Sequence, residues 1–149
     1  VVLATNQSGI GRGMFDMASL NAIHAKMHKK LAAVGARVDA VFFCPHAPED
    51  GCNCRKPAAG LFEQVGARYG LPLSAVPAVG NALRHVQAGA SAGCPAHLLL
   101  TGQSEHLRNG QGGAPSGPIE GLPNGAQVHL DLAAFADWLL AKPESPVAS

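Results

Sequence analysis

Charge imbalance is what this chain lacks first. Its 11 basic and 10 acidic residues leave a formal net charge of +1, so no field from the whole molecule draws in nucleic acid or an anionic membrane surface. Any phosphate binding has to be local. Long apolar runs are missing too: Ala96 to Leu100 and Leu130 to Leu140 are too short, or too interrupted by polar residues, to span a bilayer. Neither a secretory pattern at the start nor an internal repeat is visible. These absences lead us to expect a cytoplasmic location with neither a nucleic-acid nor a membrane partner, and we expect a monomer. Bulk is not lacking. With 149 residues, 47% of them hydrophobic, the chain has enough for one core, and we expect a single domain over residues 1–142 and a flexible tail over 143–149. The opening also lacks a Met. Val1-Val2-Leu3-Ala4-Thr5 reads as the middle of a buried parallel strand, as if a sheet were entered partway through.

The apolar pattern then alternates. A Gly-rich loop, Asn6 to Gly13, follows the first strand. Asp16 is placed to cap a helix in which Met17, Leu20, Ile23, Met27, Leu31 and Val34 recur at helical spacing until Gly35. Val38 to Cys44 reads as a strand, Gly60 to Tyr69 as a helix, Val76 to Gly80 as a very short strand, Leu83 to Ala90 as a helix and Ala96 to Leu100 as a strand. Gly102 to Gly125 shows no periodicity and is expected to be a mobile surface loop, and Leu132 to Leu140 closes the pattern as an amphipathic helix. Strand and helix in regular alternation argue for an α/β fold with a parallel sheet, whose ligands sit beyond the carboxyl ends of the strands. Those ends are Thr5, Cys44, Gly80 and Thr101.

Three of the four cysteines share one short stretch with a histidine: Cys44, His46, Cys52 and Cys54. Thiolate sulfur and imidazole nitrogen are the donors tetrahedral zinc prefers, and two close pairs separated by a turn can wrap one ion. All four positions come from protein, so the zinc is expected to be structural and to hold the loop carrying Arg55 and Lys56. Cys94, between Gly93 and Pro95, reads as a small buried residue. At the other strand end Thr5, Asn6, Gln7 and Ser8 offer hydroxyl, amide and backbone N–H groups to a phosphate, although the same residues are also ordinary turn chemistry. Arg55 and Lys56 add a fork-shaped and a point-like cation suited to a phosphorylated sugar.

Thr-Asn-Gln-Ser-Gly-Ile-Gly-Arg-Gly at Thr5 to Gly13, Cys-Pro-His at Cys44 to His46 and Cys-Asn-Cys-Arg-Lys-Pro at Cys52 to Pro57 resemble, in that order, the heptose bisphosphate phosphatases of the HAD superfamily. Gly89 to Gly93 and Leu99 to Gly102 continue the likeness. The resemblance implies a HAD-like three-layer sandwich with a zinc-loop insertion and a hydrolase that removes the C7 phosphate of a heptose 1,7-bisphosphate through an aspartyl-phosphate. It also implies that Thr5 and Lys56 stabilise the transferring phosphoryl group, that Asn6, Gln7, Ser8 and Arg55 contact substrate, and that Cys44, His46, Cys52 and Cys54 bind structural zinc. Two departures stand out. The family's Asp-x-Asp-Gly nucleophile strand belongs ahead of Val1 and is not in this sequence, so the chain as given is expected to be inactive or nearly so. The family's Val-Gly-Asp, which completes a magnesium site, reads Val79-Gly80-Asn81 here, with His85 at a further acidic position. Asn81 is thus a degenerate magnesium position. The alternatives are a non-enzymatic zinc-stabilised domain and a histidinol-phosphate-type phosphatase, which carries a similar zinc loop.

Overall fold

The computed structural model describes residues 1–142, and the expected tail at 143–149 lies outside the described residues. The chain resolves into two compact units, Val1–Leu71 and a second beginning at Pro72.

In the first unit, β1 (Val2–Asn6) and β2 (Ala40–Cys44) run parallel, Val2 opposite Ala40 and Asn6 opposite Cys44. Their register brings Asn6 and Cys44, the last residues of the two strands, side by side, so β1 runs one residue past the Thr5 end expected from the sequence. The stretch after β1 is not wholly loop: Ser8–Gly11 forms one helical turn, α1. The longer α2 (Met17–Ala32) starts where Asp16 accepts a hydrogen bond from Ser19 N–H at 2.8 Å, and Lys29 and Lys30 lie in its last turn. A cap of this kind stabilises by about 1 kcal/mol, and the two lysines complement the helix dipole. β2 begins at Ala40 rather than Val38. The sequence missed a 3-10 turn at Pro48–Asp50, where Asp50 accepts from Ala47 N–H at 2.8 Å. α3 (Gly60–Tyr69) follows and ends on Gly70 in the left-handed region. The core here is small: buried Cys44, Cys54 and Leu61, with Ala4, Phe42 and Cys52 packed against them. Half of that cluster is cysteine, so the candidate metal ligands are also the packing of the unit.

In the second unit β3 (Ala78–Gly80), β4 (Ala96–Leu99) and β5 (Gln127–His129) form a parallel sheet in the order β3-β4-β5. α4 (Leu83–Ser91) lies between β3 and β4 in sequence, and α5 (Leu132–Leu140) closes the element order, capped by Asp131 accepting from Ala134 N–H at 2.8 Å. Its core is apolar, with Val86, Ala96, Leu98 and Leu100 buried under Leu83, Leu107, Ile119, Leu122 and Val128. Burying each Val or Leu of this set is worth roughly 1.5–3 kcal/mol. The strand at Gln127–His129 went unread in the sequence because three residues carry no visible alternation. The Gly102 to Gly125 stretch holds a 3-10 helix at Gly102–Leu107. Beyond it, Arg108 donates to Leu100 O and Leu130 O, each at 2.7 Å. Asn109 folds its own turn by accepting from Gln111 N–H and Gly113 N–H.

His97 is 1% exposed and sits in a ring cluster with His129, Phe135 and Trp138, which fastens α5 to β4 and β5. Its Nδ1 lies 3.1 Å from His129 Nε2, while its own Nε2 is buried without a partner among the described residues. Burial, then the neighbouring His129 and Lys142, push His97 down to about 4. Both units are parallel α/β structure of HAD-like type.

Candidate active site and metal centre

The four thiol and imidazole residues come together as their spacing requires. The ligand atoms of Cys44, His46, Cys52 and Cys54 all lie within 4.8 Å of one another. His46 Nδ1 is 3.5 Å from Cys44 Sγ and 3.3 Å from Cys54 Sγ, and Cys44 Sγ is 3.5 Å from Cys52 Sγ. None of the cysteines is in a disulfide. Among the described residues this is the one grouping of three or more His, Cys, Asp or Glu side chains with metal-holding spacing.

Local sequence builds this geometry. Cys44 closes β2, Pro45 and His46 follow it directly, and the 3-10 turn at Pro48–Asp50, ending on Gly51 in the left-handed region (φ 63°), leads to Cys52. Glycine is required at two close approaches: a Cβ on Gly11 would fall 2.7 Å from both Ala47 N and Pro45 O, and one on Gly60 would fall 2.5 Å from Asn53 O. At those points Gly11 N–H donates to Pro45 O (2.8 Å) and Gly60 N–H donates to Asn53 O (3.0 Å).

Crowded sulfurs divide in their hold on protons. At Cys52 burial raises the thiol, but hydrogen bonds from the Cys44 and Cys54 thiols and from the Arg55 and Cys54 backbone N–H groups outweigh it and bring the group down to about 7. At Cys54 burial raises the thiol and the two neighbouring sulfurs add to it, pushing it up to about 12. Thiolates this close repel one another, and a cation held among them would balance that charge.

Beside the cluster lies the end of β1. Gln7 N–H donates to Cys44 O (2.7 Å), which joins the strand end to the loop. Thr5 Oγ1 accepts from Gln7 Nε2 at 3.3 Å, so the amide of Gln7 orients the threonine hydroxyl. Ser8, half-buried, stands at the start of α1. Lys56, 5% exposed, lies with its Nζ against Ala4 O. Arg55 is half-buried, yet its Nη1 is fully covered and has no partner among the described residues. A guanidinium nitrogen left so is costly without an acceptor. The Asn6 side chain is turned onto the Lys56 peptide, accepting from its N–H (3.1 Å) and donating to its C=O (3.3 Å).

A HAD-hydrolase-like family model matches residues 53–118. The D-glycero-β-D-manno-heptose-1,7-bisphosphate 7-phosphatase of Bordetella bronchiseptica is 54% identical over 140 residues, covering 94% of this chain and 73% of that protein. The chain belongs to the heptose-1,7-bisphosphate 7-phosphatase family. The Pseudomonas aeruginosa member is 40% identical over the same share of the two chains. The fold agrees with the sequence. The crystal structure of D,D-heptose 1,7-bisphosphate phosphatase from B. bronchiseptica complexed with magnesium and phosphate matches with a TM-score of 0.84 at 52% identity, over 94% of this chain and 73% of that one. The Burkholderia thailandensis phosphatase matches at 0.69 and 45% identity, over 95% and 76%.

Within this heptose bisphosphatase framework, Asn81 and His85 belong to the second unit. Asn81 directly follows β3, and its Nδ2 would stand 2.7 Å from a Cβ placed on Gly102. His85 packs over Gly80, its Cβ 2.6 Å from where a Gly80 side chain would begin. No carboxylate cluster accompanies Asn81 among the described residues. The residues present therefore do not by themselves make a magnesium site, for which a hard cation wants carboxylate oxygen.

Proposed function

We propose that this chain handles the phosphate in a phosphatase reaction that removes the C7 phosphate of D-glycero-β-D-manno-heptose 1,7-bisphosphate, the substrate named for its relatives. The observation that carries the reading is Arg55: a guanidinium nitrogen buried without a partner among the described residues, next in sequence to Cys54 of the Cys/His cluster and to Lys56. An anionic substrate oxygen is the acceptor it lacks. Thr5 and Lys56 are assigned to the phosphoryl group, where a hydroxyl donor and an ammonium offset charge on the equatorial oxygens. Arg55, Gln7 and Ser8 are assigned to substrate binding. The two units are taken as parts of one HAD-like domain in a monomeric, cytoplasmic enzyme.

Zinc is the metal we assign to Cys44, His46, Cys52 and Cys54. Bonds of ~2.0–2.3 Å in a tetrahedron set ligand atoms about 3.3–3.8 Å apart, and the close pairs here lie at 3.3–3.5 Å. All four corners of the tetrahedron are filled by protein, so bound zinc would supply a rigid cross-link rather than chemistry. Asn81 is assigned to the degenerate magnesium position, and no step is derived through that ion. Nucleophilic attack is expected from the Asp-x-Asp-Gly strand that the family places ahead of the residue matching Val1.

The test is Arg55→Ala in the product of the complete reading frame. Loss of a charge-assisted contact should raise KM for heptose 1,7-bisphosphate by about 10- to 100-fold with kcat less affected. An unchanged KM would remove Arg55 from the substrate site.

A further inference from the structure

The side-chain amide of Asn6 pairs with the peptide of a residue 50 positions away. Its Oδ1 accepts from Lys56 N–H at 3.1 Å and its Nδ2 donates to Lys56 C=O at 3.3 Å. Only one orientation of the amide satisfies both partners, oxygen toward N–H and nitrogen toward C=O, so the pairing itself fixes which end is which. The arrangement copies a strand ladder with a side chain in place of one backbone. The other end of Lys56 is held by the same strand, its Nζ against Ala4 O. Ala4 and Asn6 flank Thr5. The strand that presents Thr5 therefore grips Lys56 at its peptide and at its ammonium, and the lysine can be displaced from the threonine only by breaking one of these contacts.

We propose that Asn6 is a positioning residue that acts through Lys56, locking the lysine in register with Thr5, rather than a residue that binds the sugar. This rests on the reading of Lys56 as a phosphoryl-stabilising group. The physical reason is that an ammonium contributes most where charge develops during the reaction, and a misplacement of the order of 1 Å costs about 100-fold. One hydrogen and one lone pair of the Asn6 amide are already taken by Lys56, which suits it poorly to reading a sugar hydroxyl. An aspartate at this position keeps the acceptor for Lys56 N–H and loses the donor to Lys56 C=O, so it preserves one contact of two.

The test is a double-mutant cycle in the product of the complete reading frame, with Asn6→Ala, Lys56→Ala and the pair. Two substrates are used: heptose 1,7-bisphosphate and p-nitrophenyl phosphate, which has no sugar. Asn6→Ala is expected to lower kcat by about 10- to 100-fold on both substrates with KM within about 3-fold. The double variant is expected to be no worse than Lys56→Ala within about 3-fold, because the asparagine has nothing left to position. Asn6→Asp should retain a kcat between wild type and Asn6→Ala. Losses that multiply in the double variant would overturn the proposal, as would a loss confined to the heptose substrate and carried by KM. If Lys56→Ala alone leaves turnover intact, the assignment of Lys56 fails and the positioning role falls with it. That outcome is recognisable because it needs no Asn6 variant.

Should Asn6→Ala not fold, wild-type protein still decides. The Lys56 amide should exchange slowly with solvent, with and without inorganic phosphate, and the Asn6 side-chain resonances should stay in place when phosphate is added. A Lys56 amide that exchanges as fast as an exposed loop amide would overturn the proposal.

Discussion

Removing one sulfur from the Cys/His cluster should destabilise the first unit as well as empty the metal site. Cys52→Ser leaves Cys44, His46 and Cys54, of which Cys44 and Cys54 are buried core residues packed with Leu61. Because Cys52 itself packs against that cluster, the substitution touches metal and packing together. If loss of one ligand weakens zinc about 1,000-fold, the stabilisation forgone at zinc levels that saturate the wild type is about 4 kcal/mol. For a chain of 149 residues, at roughly 2–4 °C per kcal/mol, the midpoint should fall by about 8–16 °C. Differential scanning calorimetry of freshly reduced protein, with and without a chelator, measures this directly. The chelator should lower the wild-type midpoint by a similar amount and leave Cys52→Ser unmoved, and elemental analysis should find one zinc in the wild type alone. A wild-type midpoint indifferent to the chelator would rule out a stabilising zinc, since emptying a closed site that binds metal in the folded state alone must lower stability.

Other expectations follow from the same geometry. His97 is held neutral by burial, with a folded value of about 4 against the ordinary 6.5. The unfolded chain therefore binds the extra proton first, and stability is lost as pH falls from about 6.5 to about 4, by something on the order of 3 kcal/mol. His97→Phe should flatten that window in denaturant melts taken between those limits. Gly60→Ala should drive a methyl into Asn53 O and Cys54 Cα, at 2.5 and 3.1 Å, costing about 1–3 kcal/mol and lowering zinc content, whereas Gly70→Ala, with open space around it, should leave zinc content unchanged. Asn81→Asp in the product of the complete reading frame should raise phosphate release at saturating magnesium by about tenfold or more, ~1.4 kcal/mol at the barrier, with His85→Asp adding less. Equal turnover of the wild-type and Asn81→Asp enzymes would take position 81 out of the magnesium site.

Much of this site was legible because its signals are local. Cys44-Pro45-His46 and Cys52-Asn53-Cys54 carry their geometry in their spacing, and the structure closes them to within 4.8 Å. Parallel pairing of β1 with β2 follows from two apolar runs joined by a capped amphipathic helix, and Asp16 caps that helix as read. What the sequence hid depends on contacts between distant residues. Nothing in Asn6 announces that its amide reaches Lys56, since the same residue in a Gly-rich stretch reads equally as turn chemistry or a ligand for substrate. The helical turn at Ser8–Gly11 was obscured by its glycines, which lower helix propensity, while the loop backbone at Pro45 takes up Gly11 N–H. β5 was missed because three residues give no period to detect, and its place beside β4 is set by pairing with His97, Leu98 and Leu99. The buried Arg55 nitrogen was beyond reach for another reason: an Arg-Lys pair is usually a solvated face, and only the folded loop shows one nitrogen covered.

Arg55, Lys56 and Thr5 are assigned here to the removal of one particular phosphate, and phosphorus NMR tests that assignment most directly. The product of the complete reading frame is incubated with D-glycero-β-D-manno-heptose 1,7-bisphosphate and magnesium. The C7 phosphomonoester signal should disappear as inorganic phosphate grows, with the anomeric phosphate left intact, and Lys56→Ala should slow that conversion by about 100-fold or more. Loss of the anomeric phosphate first, or an undiminished rate in Lys56→Ala, would contradict it.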